Sequence, residues 1–177
     1  MDNQKISSIL NIRDSEDRDL ALLEILGEPE PEDSLDDLEA LLNHIDGAYE
    51  KTCGLIEMYK HWAGTNSGRA VEFLKSAALI AVKADEYWQK AELLSKIGFQ
   101  CAKEGEIDLA RSYWEQGAAI AANCQTVGGL QDSFDCSSVL GEIAINFSNV
   151  KMDEMAVKFA TMIQNEAIRT RTLKMIS

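Results

Sequence analysis

The sequence predicts an all-α fold, and three observations support this prediction. Apolar residues recur at three- and four-residue spacing along most of the chain, which is the period of an amphipathic helix. Only two of the 177 residues are proline, which disrupts the interior of a helix, so most of the chain is free to be helical. The alternation of β-branched and aromatic residues that is typical of strands does not occur.

The clearest pattern lies between Tyr87 and Ala122, which reads as two helices joined by a turn at Gly105. The apolar stripe of the first helix contains Leu94, Ile97, Gly98 and Cys101, and that of the second contains Ile107, Ala110, Trp114, Gly117 and Ala118. The small residues in both stripes allow two helix backbones to approach closely. A hairpin of this kind cannot bury its stripes alone, so it needs similar neighbours.

Similar units occur on both sides of this hairpin. Their first helices share an apolar anchor at Ile25, Met58, Ile97, Ile143 and Ile176, with separations of 33, 39, 46 and 33 residues. Their second helices share a small crossing residue, at Ala70, Ala110 and Ala156.

This pattern resembles the tetratricopeptide repeat family, whose helix-turn-helix units of about 34 residues stack into a superhelix. The resemblance is good over 90–122 and partial over 51–84 and 136–164. In the central unit, Cys101 replaces the usual aromatic residue and no proline closes the unit. The resemblance implies an α-α superhelix, or α-solenoid, of about three to four hairpins with a C-terminal capping helix. A more generic stack of helical hairpins is the alternative.

Turn and capping residues predict where the helices lie. The expected helices span 15–26, 35–46, 48–63, 67–84, 86–104, 106–123, 132–148, 152–164 and about 166–176. Ser34 is expected to cap the second of these, and the segment 123–131, which contains Gly128 and Gly129, is expected to be a surface insertion or a hinge. We therefore predict an acidic N-terminal helical segment with a linker over 1–47 and a helical repeat domain over 48–177.

Charge is concentrated at the N-terminal end. The chain has a formal net charge of −13, and residues 1–50, with 15 acidic and 3 basic side chains, account for −12 of it. Such a segment is usually a solvated acidic face, but it could also dock on a basic partner or fold back on the groove of the solenoid. The sign of the charge disfavours nucleic-acid binding, which needs clustered Lys and Arg.

The sequence offers little catalytic chemistry. His44 and His61 have no Cys, Asp or Glu at a metal-ligand spacing, and no phosphate-binding loop or nucleophile elbow is present. The four cysteines form no Cys-x-x-Cys pair, so we expect reduced thiols that act as small apolar fillers in a cytoplasmic protein, with redox-active cysteines as the alternative. No run is apolar enough to span a membrane. We therefore expect a protein that is not an enzyme and binds no cofactor or metal.

The family resemblance implies a partner site, because in tetratricopeptide repeats the first helix of each unit lines a concave groove. Carried over by position, the groove residues are Ile56, Lys60, Glu92, Ser95, Phe99, Lys103, Gly141, Ile145 and Asn149, with Cys53 and Ser138 beside them. Phe99 is the most prominent, since it lies off the apolar stripe of its own helix, and an aromatic residue on the outer face of a helix should be covered. Either the neighbouring unit or the N-terminal helix of this chain covers it, or a partner does.

These expectations define a protein–protein interaction module, namely a scaffold, adaptor or dedicated chaperone that holds an apolar or amphipathic segment of a protein or peptide in its groove. One alternative is an acidic regulator or inhibitor that binds a basic partner through residues 1–50. Another is a homo-oligomeric assembly unit, for example a homodimer formed through the C-terminal helix. Neither nucleic acid nor a membrane is an expected partner.

Overall fold

The computed structural model describes residues 3–29, 33–64, 67–127 and 130–177. The described residues form ten helices and no strand, which confirms the predicted all-α class. The helices are α1 (Asn3–Leu10), α2 (Ser15–Gly27), α3 (Leu35–Leu42), α4 (Ala48–Trp62), α5 (Ser67–Ala81), α6 (Tyr87–Lys103), α7 (Ile107–Val127), α8 (Leu130–Asn149), α9 (Asp153–Thr161) and α10 (Glu166–Ile176). None of these described helices is long and apolar enough to cross a membrane.

The chain divides into two compact units, Met1–Ala84 and Asp85–Ser177. The sequence had predicted a boundary after Gly47 instead. The difference arises because α4 packs against α2 and α3 as well as against α5. The acidic N-terminal segment and the hairpin that follows it therefore share one core.

In the first unit, the packing of α4 is close because of Gly54. A Cβ atom added at Gly54 would lie 2.8 Å from Cδ1 of Leu42 and 2.9 Å from Cδ1 of Leu26. Both leucines are buried, and Met58 on the next turn of α4 is fully buried. The absence of a side chain at Gly54 thus lets the apolar residues of α2 and α3 reach the backbone of α4.

A buried carboxylate fixes the beginning of α4. Asp19 on α2 is only 2% exposed, and its Oδ2 accepts hydrogen bonds from the backbone N–H groups of Asp46 (2.9 Å) and Gly47 (2.7 Å). Arg18 compensates the charge, because its Nη2 lies 3.3 Å from Oδ1 of Asp19 and 2.7 Å from Oδ2 of Asp46. A carboxylate withdrawn from water needs such partners, and here they join α2 to the N-terminus of α4.

In the second unit, α8 packs against α6, α7, α9 and α10, and α6 packs against α7. The closest crossing is that of α6 and α7. A Cβ atom at Gly98 would lie 2.6 Å from Nε1 of Trp114 and 3.0 Å from the carbonyl oxygen of Ala110. Trp114 is 1% exposed and fills this notch, and its Nε1 donates a hydrogen bond to the carbonyl oxygen of Ser95 at 3.1 Å.

An aromatic row continues from Trp114 through the second unit. The ring of Phe147 on α8 meets Trp114 edge-on with a centroid distance of 5.1 Å, and it stacks on Phe159 of α9 at 5.3 Å. All three rings are buried. Three successive helices therefore share one set of aromatic contacts.

The turns after α6 and α8 have the same backbone geometry. Gly105 has a φ of 82° and Lys151, 46 positions later, has a φ of 63°. In both turns the next N–H bonds back to a carbonyl five residues earlier, from Glu106 to Cys101 and from Met152 to Phe147, each at 3.0 Å. This is the hydrogen bonding of a helix end closed by a residue in the left-handed region.

Three stretches differ most from the predicted helices. The helix expected over 35–46 ends at Leu42. The loop expected over 123–131 is helical wherever it is described, because α7 extends to Val127 and α8 begins at Leu130. The predicted loop residues Gly128 and Gly129 lie outside the described residues. The N-terminal helix α1 was not predicted, because it spans only eight residues, most of them polar.

The cysteines also differ from the expectation. Cys124 on α7 and Cys136 on α8 form a disulfide with a Cα–Cα distance of 6.2 Å, while Cys53 and Cys101 are free. The prediction that all four are reduced fillers was therefore wrong for this pair. Their helices are adjacent in the fold, which the sequence spacing alone did not reveal. In a chain-entropy model, a loop of this size is worth about 3 kcal/mol of stability.

We predict that Gly98→Ala destabilises the protein by about 1–3 kcal/mol, because the new methyl group overlaps Trp114 and the α7 backbone. Urea unfolding followed by circular dichroism measures the loss. The matched control is Gly68→Ala in α5, where a Cβ atom meets nothing within 4 Å, so no loss is expected there. Equal stability of Gly98→Ala and wild type would contradict the close crossing of α6 and α7.

We predict that Lys151→Gly stabilises the protein by about 0.5–1 kcal/mol, because glycine adopts the left-handed region without the strain of a side chain. Thermal unfolding measures the gain. Lys151→Ala is the control, since it removes the charge but keeps the Cβ atom. A gain of the same size in Lys151→Ala would show that charge, and not backbone conformation, is the cause.

Candidate functional site

The candidate site is a surface on the second unit that we call the α6–α8 surface. It consists of Glu92, Lys96 and Phe99 on α6 with Glu142 and Ile145 on α8. Spacings of three and four residues place each set on one side of its helix, and α6 and α8 are packed against each other. The two helices therefore present one continuous strip.

Beneath this surface, Ser95 joins the two helices. It is fully buried, and its Oγ lies 3.3 Å from Nδ2 of Asn146 and 3.4 Å from Oε1 of Glu142. Its carbonyl oxygen accepts the indole N–H of Trp114. The register of α6 on α8 is thus set by a small polar network in which Ser95 is the common member.

The α6–α8 surface carries an excess of negative charge. Lys96 Nζ pairs with Oε1 of Glu92 at 2.9 Å and its charge also acts on Glu142, so two carboxylates share one lysine on this strip. Although much of Glu142 is open to solvent, its carboxyl end turns toward Ser95. Burial there raises the pKa of Glu142, and the charge of Glu92 raises it further, while Lys96 and the bond from Ser95 lower it.

The apolar part of the surface is formed mainly by Phe99. Its side chain is 44% exposed, although it lies on the same helix as the buried residues Ile97 and Cys101. Ile145 on α8 is half-buried, and Phe134 near the start of α8 is 50% exposed. An aromatic ring of this exposure beside carboxylates suits contact with an amphipathic partner.

The predicted groove residues fall into two groups by unit. Ile56 and Lys60 lie on α4 of the first unit, where Ile56 is buried and Lys60 Nζ pairs with Glu57 at 2.6 Å. The other seven lie on α6 and α8, and the structure brings them onto this one pair of helices: Glu92, Ser95, Phe99, Lys103, Gly141, Ile145 and Asn149.

The seven predicted groove residues on α6 and α8 differ in their exposure to solvent. Phe99, Lys103 and Asn149 are exposed, and Glu92 and Ile145 are half-buried. Ser95 and Gly141 are buried instead, and a Cβ atom at Gly141 would lie 2.9 Å from Oγ1 of Thr172 on α10. These two positions, like Ile56, belong to packed interiors and offer no side chain to a partner. That the remaining residues bind a partner stays a prediction.

Two residues of the α6–α8 surface were missed by sequence reasoning. Lys96 and Glu142 lie three positions before Phe99 and Ile145, so helical spacing alone could have placed them on the same sides.

A metal site or a cavity elsewhere among the described residues would be a second candidate. Among the described residues, no group of three His, Cys, Asp or Glu side chains is arranged to hold a metal ion. An open depression of about 510 Å³ lies between α7 and the start of α9 and is lined by Arg111, Lys151, Met152, Asp153, Glu154 and Met155. Its two cations and two carboxylates balance each other in charge.

The chain matches no protein-family model, no curated protein and no solved structure. The residues of the α6–α8 surface and their geometry are therefore the basis for a functional proposal.

We predict that Glu142→Gln gains stability relative to wild type as the pH rises from about 4 to 7. A carboxyl group with a raised pKa binds more protons in the folded chain, so its contribution to stability falls as the pH rises above the ordinary value of 4.5. Glutamine does not ionise and escapes this loss. The Tm of both proteins, measured across this pH range, checks the prediction.

Glu104→Gln is the control for this titration, because Glu104 is exposed and lies outside the α6–α8 surface. A Tm difference between Glu142→Gln and wild type that does not change with pH would contradict the desolvation of Glu142.

Proposed function

We propose that this chain is a protein–protein interaction module that holds an apolar or amphipathic segment of a partner on the α6–α8 surface. The observation that carries the proposal is the exposed ring of Phe99 beside Ile145, above a rigid network at Ser95. A pre-organised surface binds with less loss of side-chain freedom than a mobile one. A scaffold, adaptor or dedicated chaperone would use the surface in this way.

The chemistry of the surface suggests what the partner contributes. An apolar side chain would cover Phe99 and Ile145, and a Lys or Arg would lie near Glu142 and Glu92. A partner cation would offset the negative charge that Lys96 leaves uncompensated, and it would be worth most where Glu142 is partly withdrawn from water.

We also propose that α6–α10 form part of a tetratricopeptide-like α-solenoid. Two observations support this arrangement: α8 packs against both the preceding and the following helices, and the turns after α6 and α8 are alike. In such a solenoid α6 and α8 are the first helices of successive hairpins, α10 is the capping helix, and the α6–α8 surface belongs to the concave side.

The proposed module has no enzymatic activity and acts in the cytoplasm. A cytoplasmic location is compatible with the Cys124–Cys136 disulfide if that bond forms only under oxidising conditions, since cytosolic thiols are otherwise kept reduced.

A second candidate function is that of an acidic regulator that binds a basic partner through residues 1–50. The observation that favours it is the exposure of most carboxylates in this part of the chain, including Glu16, Asp17, Asp36 and Asp37. Such a complex would depend mainly on long-range charge attraction. It would therefore weaken steeply in salt, whereas burial of Phe99 would not.

We predict that Phe99→Asp lowers affinity for a bound segment by about tenfold or more with no loss of helicity, because Phe99 is exposed and its removal costs little packing. The probe is a displayed library of amphipathic peptides selected on the full chain, followed by titration of the selected peptides. Leu109→Asp on α7 is the matched control, because Leu109 is 46% exposed and lies outside the surface.

Two outcomes would contradict the proposed site. One is equal loss of affinity in Phe99→Asp and Leu109→Asp. The other is binding that survives Phe99→Asp but disappears in about 0.5 M salt and on replacing Glu16, Asp17 and Asp36 by their amides, which would favour the acidic-regulator function. Amide replacement is preferable to deleting residues 1–47, because α2 and α3 pack on α4 in the first unit.

A further inference from the structure

The inference concerns the end of α7, where a covalent bond and a buried amide lie side by side. Cys124 and Cys136 link α7 to α8, and their side chains are 1% and 0% exposed. The residues that follow the two cysteines, Gln125 on α7 and Ser137 on α8, also join the helices. Oγ of Ser137 donates a hydrogen bond to Oε1 of Gln125 at 2.7 Å. The two helices are thus joined twice, once by sulfur and once by a polar contact.

Gln125 extends this junction to the connection between α9 and α10. Its Nε2 donates to the carbonyl oxygen of Met162 at 3.2 Å, and its Oε1 also accepts the backbone N–H of Gln164 at 2.8 Å. Gln125 is only 6% exposed. One buried amide on α7 therefore satisfies polar groups of α8 and of the α9–α10 connection at the same time.

Such a junction has little tolerance for movement. If the end of α7 shifts on α8, the buried amide of Gln125 loses its hydrogen-bond partners. The adjacent disulfide opposes that shift, since it fixes Cys124 to Cys136. The state of the sulfur atoms and the order of the connection at Met162–Gln164 are therefore coupled through neighbouring residues.

We propose that Cys124–Cys136 is a reversible redox clamp that controls how firmly the α9–α10 connection is held on α7. In the oxidised state the disulfide keeps Gln125 in place, and the backbone of Gln164 stays bonded to it. In the reduced state the two thiols no longer restrain α7 on α8, and the connection at Met162–Gln164 opens more often. This device operates without a partner and does not rest on the proposed binding function.

The reaction is thiol–disulfide exchange with a dithiol reductant. Because both cysteines are buried, the exchange takes place when the end of α7 opens locally from α8. A thiolate of the reductant then attacks one sulfur of the pair and forms a mixed disulfide, and the other cysteine leaves as a thiolate that takes up a proton. The second thiol of the reductant then displaces the remaining cysteine. Two electrons pass to the protein, the reductant becomes a disulfide, and oxidised glutathione reverses the reaction with the same balance.

Cys101 does not compete in this exchange. Burial raises the pKa of Cys101 to about 11, with a smaller contribution from Glu106, so this thiol is protonated at neutral pH and is a poor nucleophile. Cys53 is half-buried on α4 of the first unit and is not part of the pair.

The test compares the full chain after treatment with oxidised glutathione and after treatment with dithiothreitol, with no substitution required. Hydrogen exchange at the amide of Gln164 is the main readout, and we expect it to be about tenfold faster in the reduced protein. We also expect the Tm of the reduced protein to be lower by about 5 °C or more. Far-UV circular dichroism should show that the reduced protein keeps its helices.

Three variants test whether the change in hydrogen exchange at Gln164 depends on the disulfide and on Gln125. Gln125→Ala in the oxidised protein should make exchange at Gln164 fast while the disulfide remains, because the contact is removed and the bond is not. Cys124→Ser should behave as the reduced protein under both treatments. Cys101→Ser is the control and should respond to redox treatment as wild type does.

Three results would overturn the proposal. The first is four titratable thiols in protein treated with oxidised glutathione, which would mean that the bond does not form. The second is a disulfide that dithiothreitol reduces only after unfolding, which would make it a permanent staple. The third is exchange at Gln164 that is the same in the oxidised and reduced proteins.

Discussion

The second unit depends on the close crossing of α6 and α7 at Gly98. Because Gly98 has no side chain, the indole of Trp114 can enter the crossing and donate its N–H to the carbonyl oxygen of Ser95. Ser95 in turn holds Asn146 and Glu142 of α8. A single small residue therefore determines both the packing of α6 on α7 and the placement of α8, and with it the shape of the exposed surface.

The helical class and the central hairpin could be predicted from the sequence because they depend on local periodicity. Gly98 and Trp114 were recognisable as a small and a large residue on facing stripes, and the structure packs them together. Phe99 was recognisable as an aromatic residue off its stripe, and it is exposed. These features need only the helical period and the volume of each side chain.

Other features were beyond the sequence because they join positions far apart in the chain. Asp19 is one of many acids in its segment, and only the fold shows that it binds the backbone N–H of Gly47, the residue before α4. The burial of Ser95 follows from the approach of α8, 47 residues further on at Glu142. The spacing of Cys124 and Cys136 indicates no bond until α7 and α8 are placed side by side.

The two left-handed turns at Gly105 and Lys151 give the second unit a modular character. Since each hairpin ends its first helix with the same backbone geometry and hydrogen bond, the segment from one turn to the next, 46 residues, is a natural length for duplication. A tandem copy of that segment would meet a compatible junction at both ends. A chain lengthened in this way would add whole helical hairpins.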